Sequence, residues 1–249
     1  MPSCWTPELV SVTSYDTDIG RLRAVAVASA LLAQVLGPDT AALIDPEIDR
    51  ALRAALAAAG ADGALRRLEA VEDPGVPADP AELAGRWVRW FDLGRVAPYE
   101  ASNVVASAGG VTPRLADIAG FYRAFGLEVA DDRPDHVIAE LEFLAMAVMA
   151  EAEAIDAGDN EAAGVAAGAI RLFIRDHIGA WIDAWASRVA GVDELRPWVP
   201  AATAAVELVR AEATRRNVIP LSDAAVLLAD AGVADDEEAV LDCLDSSAD

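Results

Sequence analysis

The chain has 249 residues, of which 54% are hydrophobic, and carries a formal net charge of −23. That length suits one large domain or two small ones with a sizeable core, and the charge opposes binding to nucleic-acid phosphates or anionic lipid. No apolar run approaches the roughly 20 residues of a membrane span, and Met1-Pro2-Ser3-Cys4-Trp5 lacks the basic-then-apolar pattern of a signal peptide, so a cytoplasmic protein is expected.

Residues 1–16 show no clear period and read as an arm. From Asp18 onward, Leu22, Val25, Ser29, Leu32 and Leu36 step by three and four. This predicts an amphipathic helix, capped by Thr17 or Asp18 and stopped by Gly37. Its most apolar part, Ala24 to Leu36, reads as buried. Asp45-Pro46 opens a second helix carrying Ile48, Leu52 and Leu56 and stopping near Gly60. Asp62 to Val71 reads as a short third helix, followed by a loop with Pro74, Gly75 and Pro77. Asp79-Pro80-Ala81-Glu82 is a capping-box start. Leu83, Trp87, Trp90 and Phe91 then form one stripe. Leu93 to Pro113 is a long irregular connection, a kind of segment that often carries function. A helix over Arg114 to Phe125 ends at Gly126, and Leu127 to Pro134 is an acidic joint.

Beyond the joint, a long helix is predicted from Asp135 to about Asp156, with Ile138, Leu141, Ala145 and Val148 on one face. Gly158 and Asp159 end it and start another. That pattern runs through Ile170, Ile174, His177, Trp181 and Trp185 to about Ala190, with a bend at Gly179. Pro197 and Pro200 precede a helix to about Asn217. Ser222 to Ala229 and Asp235 to Leu244 read as short terminal helices. No alternating strand and no internal repeat is found. The fold class is therefore all-α, a bundle of about nine to eleven helices. Two helical parts, 1–126 and 135–249, are expected on either side of a hinge loop at 127–134, with packing as one domain left open.

Cys4 and Cys243 are too far apart in sequence for a disulfide framework or metal knuckle and read as plain thiols. The two histidines and two cysteines are not at ligand spacing, so no metal is expected. Gly109-Gly110 lacks the Gly-Lys-Ser/Thr of a phosphate cradle, and every basic residue in the chain is arginine. No Gly-x-Ser-x-Gly is present. The acidic runs Asp131-Asp132 and Asp235-Asp236-Glu237-Glu238 read as solvated faces. Asp135 serves either as a helix cap or in function. His177 is either a core histidine with a satisfied hydrogen bond or a ligand group. Trp87, Trp90 and Phe91 are either core or the floor of a groove for an apolar peptide. The acidity itself has two readings, a compositional or high-salt bias and attraction of a cationic peptide.

Three segments, in this order, resemble the TorD/DmsD/NarJ family of molybdoenzyme maturation chaperones. The first is Arg86-Trp87-Val88-Arg89-Trp90-Phe91 followed by Pro98-Tyr99-Glu100-Ala101-Ser102. The second is Phe121-Tyr122-Arg123-Ala124-Phe125-Gly126, then Pro134-Asp135-His136 and Glu140-Leu141-Glu142-Phe143. The third is Phe173-Ile174-Arg175-Asp176-His177-Ile178-Gly179-Ala180-Trp181. Together they span roughly residues 80–190. One departure is that Pro134 directly precedes Asp135, where many relatives place a residue between proline and aspartate.

The resemblance implies an all-helical, non-catalytic chaperone with no cofactor of its own. Its implied partner is the catalytic subunit of a molybdenum-containing oxidoreductase, bound through a twin-arginine signal peptide or as the apo form. Its implied form is a monomer or a domain-swapped dimer. Carried over residue by residue, the resemblance implicates Pro134, Asp135 and His136 at the hinge, Trp87, Trp90 and Phe91 on the aromatic helix, Tyr99 and Glu100 in the loop, and His177 and Trp181 on the late helix. Carboxylates would take the arginines through paired, charge-assisted hydrogen bonds, and aromatic side chains the apolar part. The alternative is a small-ligand protein or enzyme with a pocket around His136 and His177.

Overall fold

The computed structural model describes residues 12–70, 76–77, 79–104, 110–128 and 133–222, with side chains from residue 18 onward. Cys4, Cys243, the acidic runs at 131–132 and 235–238, and the predicted terminal helices after Ser222 itself lie outside the described residues. Among the described residues there are ten α-helices and no strand, which makes the protein all-α, as the periodicity predicts. None of these helices is long and apolar enough to cross a membrane.

Local sequence signals set most boundaries. Helix α1 spans Val12–Val35 and begins inside the predicted arm. A four-residue turn, α2 (Ala41–Ile44), precedes α3 (Pro46–Ala58). Asp45 caps α3 by accepting from Glu47 N, with Pro46 in the first turn where a missing N–H costs nothing. Helix α4 is Asp62–Glu69 and α5 is Pro80–Trp87. Asp79 caps α5 through Ala81 N, but Glu82 bonds to Arg86 at 2.7 Å rather than closing the expected capping box. A π-helical turn, Val88–Asp92, continues α5. Its wider coil leaves Leu83, Trp87 and Phe91 facing inward while Trp90 turns to a half-buried position.

The long connection contains a 3₁₀ turn at Glu100–Ser102 and ends at Gly110, whose φ of 75° suits a residue without Cβ. Helix α6 then spans Val111–Ala124 and α7 spans Val137–Asp156. The predicted single helix across residues 160–190 is two, α8 (Asn160–Asp176) and α9 (Ile178–Ala190), broken at His177 with φ −120° and ψ −106°. Gly179 sits just past the break because nothing larger fits. A Cβ there would lie 2.2 Å from the Ile174 carbonyl oxygen. Helix α10, Val199–Arg215, follows a 3₁₀ turn at Asp193–Trp198.

Helix α7 lies at the centre, packed against α1 and α8, while α10 packs on α4 and α9. Helices from both sides of the joint thus share one hydrophobic core. Alanines on α10 (Ala201, Ala202, Ala204, Ala205) are buried and let neighbouring helices approach closely. The largest fully buried side chains include Trp181, Trp185 and Trp198. Each contributes about 4–6 kcal/mol of gross burial. Phe91 joins this cluster, with ring centroids 5.9 Å from Trp185 and 5.8 Å from Trp198.

Candidate functional site

Two irregular segments distant in sequence meet at the joint. Tyr99 and His136 form an isolated antiparallel bridge. Glu100 N donates to Asp135 O at 2.8 Å, and Val137 N donates to Pro98 O at 2.8 Å. Tyr122 on α6 adds a hydrogen bond from its hydroxyl to Pro134 O at 2.7 Å. Burial, reinforced by neighbouring acidic groups that include Glu100 and Asp135, holds the Tyr122 phenol far above its usual range, so it stays a donor. His136, not Asp135, caps α7: its Nδ1 accepts from Ile138 N at 3.1 Å. Its ring meets the Tyr99 ring edge to face, with centroids 5.1 Å apart.

This arrangement frees the Asp135 carboxylate for other work. One oxygen accepts from Ala101 N at 3.1 Å. Both accept from Arg133, Nε at 3.0 Å and Nη2 at 2.6 Å. The Arg133 guanidinium also lies 4.5 Å over the Tyr99 ring. Asp135 is fully buried while the Arg133 side chain is 45% exposed, so the pair forms an edge between interior and solvent.

Behind it lie two more fully buried carboxyl groups, Glu100 and Glu140. Glu100 pairs with Arg114 of α6 and with His177 Nδ1 at 3.1 Å. Glu140 accepts from Trp181 Nε1 at 2.9 Å, has no arginine, and leaves Oε1 without a partner. Burial first, then the neighbouring Glu100 charge, pushes its carboxyl well above the usual range. This shift favours the neutral form of Glu140 beside the Glu100 carboxylate. Of these three buried carboxyls, two take a guanidinium, and the third is pushed toward its neutral form.

His177 is buried, with its ring 5.4 Å from Phe121 and 5.3 Å from Phe173. Its Nε2 lies 3.2 Å from the exposed Asp117 carboxylate, but outside hydrogen-bonding alignment. Both groups line an open depression of about 420 Å³ with Pro113, Arg114, Asp176 and Leu221. Among the described residues, no cluster of His, Cys, Asp or Glu could hold a metal ion.

The structure therefore brings together Tyr99, Glu100, Pro134, Asp135, His136, His177 and Trp181. Trp87 and Phe91 belong to the hydrophobic core, where Trp87 Nε1 donates to Leu36 O at 3.0 Å and Phe91 meets Trp185 rather than the polar groups of the joint. Trp90 is half-buried, donates to Glu194 at 2.8 Å and lies under Arg95. That hydrogen bond, with Arg89 alongside, holds the Glu194 carboxyl below its usual range. Sequence reasoning missed Arg114 and Arg133 as carboxylate partners and Glu140 as a buried acid. Glu140 does carry a signal, since it falls in helical phase with Val137, Leu141 and Leu144.

No curated protein and no solved structure matches the chain. A family model, the nitrate reductase delta subunit, matches residues 47–187, more than half of the chain and the whole of the polar cluster. The chain belongs to this nitrate reductase delta subunit family, a NarJ/TorD-type family of molybdoenzyme maturation chaperones whose members interact with molybdoenzyme catalytic subunits.

Proposed function

We propose that the protein is a cytoplasmic chaperone that binds the twin-arginine signal peptide or apo form of a molybdopterin oxidoreductase and assists cofactor insertion before export. The observation that carries this reading is the half-exposed edge at Asp135, where a buried carboxylate takes a guanidinium bidentately beside the Tyr99 ring. Fork-to-fork pairing with stacking distinguishes arginine from lysine. The neighbouring depression adds Asp117 and Asp176 to its rim, and the chain's net charge of −23 draws a cationic peptide toward it. Glu100, His136, His177 and Trp181 hold this edge in place from behind. No nucleic acid and no membrane insertion enters this reading.

The test is calorimetry with a synthetic peptide carrying two adjacent arginines followed by an apolar run. The expected result is saturable binding that falls at least tenfold when both arginines become lysine, and falls likewise in Asp135→Asn. Equal affinity for the two peptides would remove arginine recognition from the reading. Stoichiometric capture of the target's mature domain without its leader would shift the contact from signal peptide to apo enzyme.

A further inference from the structure

Arg133 has the geometry of a bound ligand. Its guanidinium makes two parallel hydrogen bonds to Asp135, at 3.0 and 2.6 Å, and lies 4.5 Å over an aromatic face. These are the two contacts by which a protein selects arginine. Yet the residue is only two positions from its partner, and its side chain is 45% exposed. Releasing it from Asp135 gives up one long-range contact, the stacking on Tyr99, and an incoming arginine would remake it.

The second arginine of the cluster contrasts with it. Arg114 pairs with Glu100 across 14 positions, its side chain is 23% exposed, and the same carboxylate also meets His177. That pair ties α6 to the loop and to the α8–α9 junction. Arg133 bonds within the joint and reaches beyond it only through its stacking on Tyr99.

We propose that Arg133 is a resident stand-in for a client guanidinium, filling the Asp135–Tyr99 site in the free protein and giving way when a client arginine binds. The idea rests on the reading that an arginine of the client is recognised at this edge. A bare Asp135 would be a buried, uncompensated carboxylate, which is costly. The resident arginine keeps that charge matched between clients. Displacement then exchanges one guanidinium for another, nearly neutral at the carboxylate itself, and the remaining contacts of the client supply the net affinity. The resident group lowers apparent affinity by the fraction of time it occupies the site. It also filters ligands, because a lysine ammonium reproduces neither the fork nor the stacking that it must replace.

The experiment titrates the full chain, as wild type, Arg133→Gln and Arg133→Lys, with the di-arginine peptide and its di-lysine counterpart. Fluorescence anisotropy gives the affinities, and circular dichroism checks that each variant is folded. Glutamine, which cannot compete for Asp135 as a cation, is expected to tighten di-arginine binding about tenfold. Lysine, a cation without a fork, is expected to fall between glutamine and wild type, and it carries the test if the glutamine variant fails to fold. Both variants are expected to narrow the gap between the two peptides. If wild type binds the di-arginine peptide and both variants bind it equally or more weakly, Arg133 is only a structural partner of Asp135. The signal-peptide reading then stands without the stand-in. If neither wild type nor variants bind the di-arginine peptide, both ideas fall together.

Discussion

Replacing Glu140 by glutamine tests the central electrostatic feature of the joint. Glu140 is fully buried, accepts from Trp181 at 2.9 Å, and faces the Glu100 charge. Its carboxyl is raised well above the usual range in the folded chain, whereas in the unfolded chain a glutamate ionises near pH ~4.3. Between those two values the folded state holds a proton that the unfolded state has lost. Wild-type stability must therefore decline as pH rises through this window, by about 1.4 kcal/mol for each pH unit. For a chain of this size that is about 3–5 °C of melting temperature per unit. Glutamine has the shape of the protonated acid. Its oxygen can keep the Trp181 hydrogen bond, its amide can face Glu100, and it does not titrate. The two proteins are expected to melt together at about pH 4 and to separate as pH rises above it, with Glu140→Gln the more stable. Thermal melts by circular dichroism at half-unit steps read this directly. Parallel curves, or a wild type that gains on the variant as pH rises, would refute the protonated assignment.

Other features make separate predictions. Glu212, fully buried on α10, accepts from Arg21 at 2.9 Å, Arg215 at 2.8 Å and Arg216 at 3.2 Å. Glu212→Ala leaves three guanidinium groups short of an acceptor and unties α1 from α10, with an expected loss of about 3 kcal/mol in urea unfolding; a loss under about 1 kcal/mol would make the network ornamental. Gly179→Ala drives a Cβ to 2.2 Å from the Ile174 carbonyl oxygen, so it is expected to lower stability by about 1–3 kcal/mol by prying open the α8–α9 junction. Gly168→Ala, whose Cβ meets open space within the same α8, is expected to raise stability by about 0.5–1 kcal/mol instead. Similar melting shifts for the two alanines would remove the steric argument.

Helix existence was legible where the periodic signal is local. Asp45 and Asp79 do cap α3 and α5, each through a side-chain oxygen, because capping needs only residues within one turn. The break at His177 was not legible. Ile170, Ile174, Ile178, Trp181 and Trp185 are all buried and keep the three-and-four spacing across it, so the apolar period runs on through a junction one residue long. At the joint, the sequence places an aspartate where a cap is expected, yet His136 makes the cap and Asp135 reaches back to Ala101. Choosing between adjacent polar residues requires knowing that the loop around Tyr99 lies alongside, and that is a long-range fact. Arg114 was invisible for the same reason, 14 residues from the carboxylate it meets.

The cluster at the joint costs stability, since buried ionic groups rarely outperform apolar ones of similar volume. Its arrangement says what that cost supports. Every inner contact crosses between elements: Glu100 reaches α6 and the α8–α9 junction, Glu140 reaches α9, and Tyr122 reaches Pro134. The outermost pair, Arg133 with Asp135, joins neighbours in sequence and faces solvent. Replacing Arg133 by an incoming arginine alters no charge inside and breaks none of these inner contacts; the stacking on Tyr99 passes from one guanidinium to the other. Recognition can therefore take place at the rim while the interior stays fixed. The same logic explains why Asp135 is an ambiguous probe. Its loss removes both the guanidinium acceptor and the acceptor for Ala101 N, mixing binding with structure. Substitution of Arg133 leaves the Ala101 N–Asp135 hydrogen bond in place, and Arg133→Lys also keeps a cation beside the buried carboxylate, so this series reads binding with less structural disturbance.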